Sequence, residues 1–110
     1  MRMPGGEVAI VDLEKLTGYC LNPDHPRGKH KARVFAASLG LTAANADELR
    51  LALLEAAANR QAQPGVTDEF GSRYVIDFEM RGPQGTATVT SSWIIRRGEE
   101  RPRLTSCYVK

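Results

Sequence analysis

The chain predicts an α+β fold, with N-terminal helices packed on one face of an antiparallel three- to four-stranded meander. Apolar residues recur with a period near 3.6 through the first half and with a period of 2 from Phe70 onward. Two turn signals, Gly82-Pro83-Gln84-Gly85 and Arg97-Gly98-Glu99-Glu100, then divide the second half into strands joined by tight loops. At 110 residues and 42% hydrophobic content, one domain is expected over residues 1–110, large enough to bury a core without staples.

Each element has its own local reason. Glu7 to Val11 reads as a short β-like run, and Asp12 can cap a brief helix through Leu16. Tyr19-Cys20-Leu21 is a small apolar anchor before the turn formers Asn22-Pro23-Asp24. A helix follows from Pro26 or Arg27 to Leu39, with Gly40 as its stop and Ala32, Phe35, Ala36 and Leu39 as its buried stripe. Asn45 with Glu48 reads as a capping box for a second helix, Ala46 to about Gln61, whose core face is Leu49, Ala52, Leu53 and Ala56. Gln63-Pro64-Gly65 ends the helical half.

The strands fix their own register. A two-residue loop at Pro83-Gln84 sets Met80 against Ala87, Phe78 against Val89 and Tyr74 against Trp93, apolar facing apolar. A loop at Gly98-Glu99 sets Trp93 against Leu104 and Val89 against Tyr108. The opposite face then gathers Asp77, Glu79, Thr88, Thr90, Ser92, Arg103, Thr105 and Cys107, a polar surface left open by helices on one side only.

Bulk properties narrow the function classes. A formal charge of +2 is too small to mark a nucleic-acid binder by itself, so local placement of charge must decide. Cys20 and Cys107 lie far apart in no metal-binding pattern and are expected to be buried free thiols. No cofactor and no metal are expected. The start, Met1 to Gly6, lacks the apolar core of a signal peptide, and no apolar run approaches membrane-spanning length. The expectation is a soluble cytoplasmic protein. Serine-protease, dinucleotide, Walker and zinc-protease patterns are all missing.

Chemistry concentrates in His25-Pro26-Arg27-Gly28-Lys29-His30-Lys31, which holds both histidines and runs into the first long helix. Cations at a helix entrance, where N–H groups are unpaired and the helix dipole is positive, suit an anion. His25 is the candidate acid or base, since imidazole titrates near neutral pH; the plainer reading makes it a helix cap. Lys31, one position before the buried stripe, can stabilise charge on a phosphate. Arg27, Gly28 and Lys29 read as a substrate-binding fringe, while His30, between two lysines, reads as solvated. On the sheet, Thr105 and Ser92 offer hydroxyls and Arg96 and Arg103 add cations. Asp77 and Glu79 can act as paired carboxylates or pair with Arg73 and Arg81.

The run Tyr19-x-Leu21-Asn22-Pro23-x-His25-Pro26-x-Gly28-x-x-Lys31-Ala32, with Phe35 and Leu39-Gly40, resembles the signature of a small uncharacterised bacterial domain family. Gly71 to Tyr74, Trp93-Ile94-Ile95 and Arg103-Leu104-Thr105 resemble its later blocks. That organisation is similar to the barnase, EndoU, colicin and RelE group of metal-independent ribonucleases, from which toxins of toxin–antitoxin and polymorphic secretion systems are drawn. The resemblance implies RNA cleavage by 2′-OH attack, with His25 as acid or base, Lys31 as charge stabiliser and Thr105 and Ser92 as hydrogen-bonding neighbours. RNA and a small acidic antitoxin or immunity protein are the implied partners. The competing expectation is a non-catalytic binding module, either an antitoxin or immunity partner or a phosphate-binding adaptor.

Overall fold

A computed structural model describes all 110 residues, 1–110. A 3-10 turn, Gly6–Val8, precedes α1 (Leu13–Lys15), which passes directly into a π-helical turn, Leu16–Cys20. Helix α2 (Lys29–Leu39), a second 3-10 turn (Ala43–Asn45) and α3 (Ala46–Asn59) complete the helical half. Strands β1 (Gln63–Asp68), β2 (Gly71–Gly82), β3 (Gly85–Arg96) and β4 (Arg103–Val109) form one antiparallel sheet in the order β1-β2-β3-β4. The predicted α+β architecture, helices against an open antiparallel meander, is the one observed. No helix is long and apolar enough to cross a membrane.

Helix α2 buries Ala32, Phe35 and Leu39, while Ala36, expected in the same stripe, is exposed. The helix stops where predicted. Gly40 takes a left-handed φ of 72°, its N–H reaches Ala36 O, and the Leu41 N–H reaches Phe35 O, a two-bond closure that satisfies the last carbonyls. Its start is two or three residues later than expected, because the turn from His25 to Gly28 is closed by a side chain. The cap of α3 also differs. Thr42 and Asn45 form the reciprocal pair, with Asn45 Oδ1 accepting from the Thr42 N–H at 3.1 Å, since the 3-10 turn opens the helical run before Ala46. Helix α3 ends at Asn59, because Gln61 and Ala62 turn away to pair with Arg2 and Met1. The segment expected as a β-like run is a 3-10 turn followed by a single bridge from Ile10 to Arg103.

The β2–β3 register is the predicted one throughout, including Met80↔Ala87, Phe78↔Val89 and Tyr74↔Trp93. Ile76, Phe78, Met80, Val89, Trp93 and Leu104 are buried beneath the helices. Trp93 Nε1 donates to Ser91 Oγ at 2.9 Å, and Ser91 Oγ donates to Ile76 O at 2.8 Å, so the buried indole stays paired.

Two strand expectations are corrected. Gln63-Pro64-Gly65, read as the end of the helical half, instead opens the edge strand β1, all six of whose residues are exposed, with a bulge between Pro64 and Thr67. Proline, glycine and exposure on both faces erase the alternation that would betray a strand. In β4, Trp93 meets Leu104 as predicted, but a bulge follows: Ser92 pairs with Ser106, leaving Thr105 as the extra residue. Downstream pairing shifts by one, so Val89 meets Val109 rather than Tyr108. The same shift turns Cys107 inward to full burial instead of placing it on the open face.

Candidate functional site

The π-helical turn buries Leu16 and Cys20 completely and leaves Tyr19 at the surface of the core. Beyond it, the Asp24 N–H donates to Asn22 Oδ1 and the His25 N–H to Asn22 O, a tight turn that returns the chain towards Tyr19. His25 then folds over its own backbone. Its Nδ1 accepts from the Arg27 N–H at 3.0 Å and the Gly28 N–H at 2.9 Å, satisfying donors that lack partners at the start of α2. Two donors converging on Nδ1 assign the ring proton to Nε2.

Tyr19 holds this ring from below. Its ring meets His25 edge-on, with centroids 4.9 Å apart and planes at 82°. On the other side, Lys31 Nζ donates to Tyr19 Oη at 2.7 Å and lies 4.8 Å from the ring centroid. Gly28 is required at the contact: a Cβ there would run into Tyr19 O.

Strand β4 supplies the opposite wall. The bulged Thr105 donates through Oγ1 to Ser92 O at 3.1 Å. Ser106 Oγ is buried with no hydrogen-bond partner in the chain. Between this edge and the turn lies a depression of about 390 Å³ lined by Lys15, Tyr19, His25, Arg27, Thr105 and Ser106. Neither Lys15 nor Arg27 takes part in an ion pair, and no carboxylate lines the space. The depression therefore presents two cations, an imidazole, a phenol and the Thr105 hydroxyl to whatever enters, a set complementary to an oxyanion.

Of the residues singled out by sequence, His25, Arg27 and Thr105 come together here. Lys31 reaches the depression only through Tyr19, and Ser92 only through its carbonyl. Gly28 lies behind the lining, its N–H on His25. Lys29 instead rims an apolar groove of about 360 Å³ beside Leu21, Ala32 and Ala36. Arg96 stands at the far end of β3 beside Asp68 and Gly71, and Arg103 pairs with Glu99 at 3.3 Å. His30 is exposed on the first turn of α2. Asp77 pairs with Lys110 at 2.9 Å, not with Arg73, which pairs with Asp68 at 2.8 Å. Lys15, Tyr19 and Ser106 are lining residues that sequence reasoning did not assign. Tyr19 alone carried a signal, sitting six positions before His25 across an Asn-Pro turn.

The fold recurs in a contact-dependent growth inhibition toxin–immunity protein complex from Klebsiella pneumoniae 342. One chain of that complex superposes with a TM-score of 0.71 over 93% of this chain and 100% of its own, at 16% identity, a likeness of fold. No curated protein matches the sequence. The family model that does match covers residues 2–110, essentially the whole sequence, and the chain belongs to the DUF6883 family, a domain of unknown function.

Proposed function

We propose that this domain is a metal-independent endoribonuclease, the toxin of a toxin–antitoxin or polymorphic toxin system. The observation that supports this most is the carboxylate-free depression in which His25 and Thr105 meet Lys15 and Arg27. In the reaction, a ribose 2′-oxygen attacks the adjacent phosphorus. The P–O2′ bond forms as the P–O5′ bond breaks. The 2′-hydroxyl proton passes to a base and the departing 5′-oxygen takes a proton, leaving a 2′,3′-cyclic phosphate and a 5′-hydroxyl. Lys15 and Arg27 hold the phosphate, Thr105 turns its one hydroxyl proton from Ser92 O to a non-bridging oxygen, and Lys31 polarises the Tyr19 hydroxyl beside it.

His25 moves the proton through Nε2. In the free protein that nitrogen carries the proton, because Nδ1 accepts from Arg27 and Gly28. To accept a proton at Nε2, the ring must shift its own proton to Nδ1 and release those two N–H groups. A phosphate entering beside them is a stronger acceptor than imidazole and takes them over, freeing the ring as substrate binds. The same capping bonds favour the second reading, a binding module in which His25 only closes a turn. The fold neighbour belongs to a complex of a growth-inhibition toxin with its immunity protein, and a small acidic antitoxin or immunity protein is the proposed protein partner.

Purified protein incubated with total RNA in EDTA tests the reading. Cleaved RNA with 2′,3′-cyclic phosphate and 5′-hydroxyl ends, together with growth arrest on induction in a bacterial host, is the expected result. Intact RNA and normal growth would leave the binding module as the better account.

A further inference from the structure

We propose that Cys20 and Cys107 form a dithiol site that peroxide closes into a disulfide, tying the π-helical turn to β4. These are the only two cysteines of the chain, one from each end of the sequence. Both are free and fully buried. Both lie in the one apolar core, where each thiol acts on the acidity of the other. The elements that carry them meet independently of the thiols: Tyr19 and Ser106, each adjacent in sequence to one cysteine, line the same depression. A disulfide here would fix the two walls of that depression against each other.

The surroundings set which sulfur reacts first. Contact with the Cys107 thiol, aided by its N–H and by the Lys31 charge, brings the Cys20 thiol down to about 7 against the opposing effect of burial. Cys107 is pushed up by the neighbouring Cys20 and by burial. Cys20 is thus the thiolate that attacks. Its sulfur bonds to one peroxide oxygen as the O–O bond breaks, giving a sulfenic acid and hydroxide, which takes a proton to become water. Cys107 loses its proton and its sulfur attacks Cys20: the S–S bond forms, the S–O bond breaks and a second water leaves. Two thiols are oxidised by two electrons and one peroxide is reduced to two waters. Full burial selects a small oxidant of this class over bulky disulfides.

The full-length protein is treated with hydrogen peroxide, unfolded in iodoacetamide and digested. The expected result is a Cys20–Cys107 cross-linked peptide, about 2 Da lighter than its two thiol halves, that dithiothreitol releases. A rise in Tm of about 5 °C or more in the oxidised protein is expected with it. Cys20→Ala and Cys107→Ala should each lose both the cross-link and the Tm rise. Two alkylated cysteines after treatment, oxygen adducts on either cysteine without cross-linking, or only intermolecular dimers would overturn the proposal. None of these readouts depends on RNA cleavage, so the thiol chemistry and the nuclease reading fail separately.

Discussion

At the scale of single residues, His25 Nδ1 binds two backbone donors while the proposed chemistry belongs to Nε2. An asparagine places its Oδ1 near where Nδ1 stands, so His25→Asn should keep the cap and lose the second nitrogen. His25→Ala should lose both, costing about 1 kcal/mol of stability, as helix-cap removals typically do; His25→Asn should stay within about 0.5 kcal/mol of wild type in urea unfolding. Gly28→Ala drives a methyl group into Tyr19 O and should cost about 2 kcal/mol or more by the same measurement. Imidazole and cation content is local information, so His25 and Arg27 can be picked out from the sequence. The other wall of the depression is not local. Ser106 becomes a lining residue only because a strand from the end of the chain is laid beside a turn near its start.

At the scale of elements, the β4 bulge does the most to shape the site. It leaves Thr105 unpaired in the ladder, with its hydroxyl on Ser92 O, and it lets Leu104 and Cys107 both point inward. Deleting Thr105 restores an even ladder with Leu104 and Cys107 still inward. Such a variant should fold, with far-ultraviolet circular dichroism like the wild type, and should lose RNA cleavage by about 100-fold or more if the hydroxyl meets the phosphate. Ser91→Ala strands the Trp93 N–H in the core and should cost about 1–3 kcal/mol in urea unfolding. The β2–β3 hairpin was readable down to each pair because its two strands alternate cleanly about a two-residue loop. The bulge was not, since a one-residue slip leaves no mark in composition. Strand β1 was hidden by Pro64 and Gly65 and by having no buried face.

At the scale of the whole molecule, sequential strand order leaves β4 at the sheet edge, beside the turn and loop that precede α2. The helical and strand halves therefore meet at the depression, and the chain's last residue is tied back to the sheet. Lys110 Nζ lies 2.9 Å from Asp77 Oδ2. Its ammonium holds the Asp77 carboxyl below the ordinary 3.8; Asp77 in turn holds Lys110 above 10.5. The depressed carboxyl gives stability that is present above its ordinary value and lost as pH falls through the folded one. The raised ammonium gives stability that is present below 10.5 and lost as pH rises through its folded value. Asp77→Asn should thus lower the urea midpoint by a small, equal amount at pH 6 and pH 9, and the gap should close by pH 2. Some acid sensitivity should survive in the variant, because Arg73 holds Asp68 down in the same way.

Joining these scales is the claim that His25 changes partners, capping a turn in the free protein and moving a proton once a phosphate takes its place. The most direct measurement is RNA cleavage in EDTA by wild type and His25→Asn, run beside their urea midpoints. The account predicts cyclic-phosphate ends from wild type, at least about 100-fold slower cleavage by the variant, and matching midpoints. Equal cleavage by the two proteins, or none by either, would contradict it.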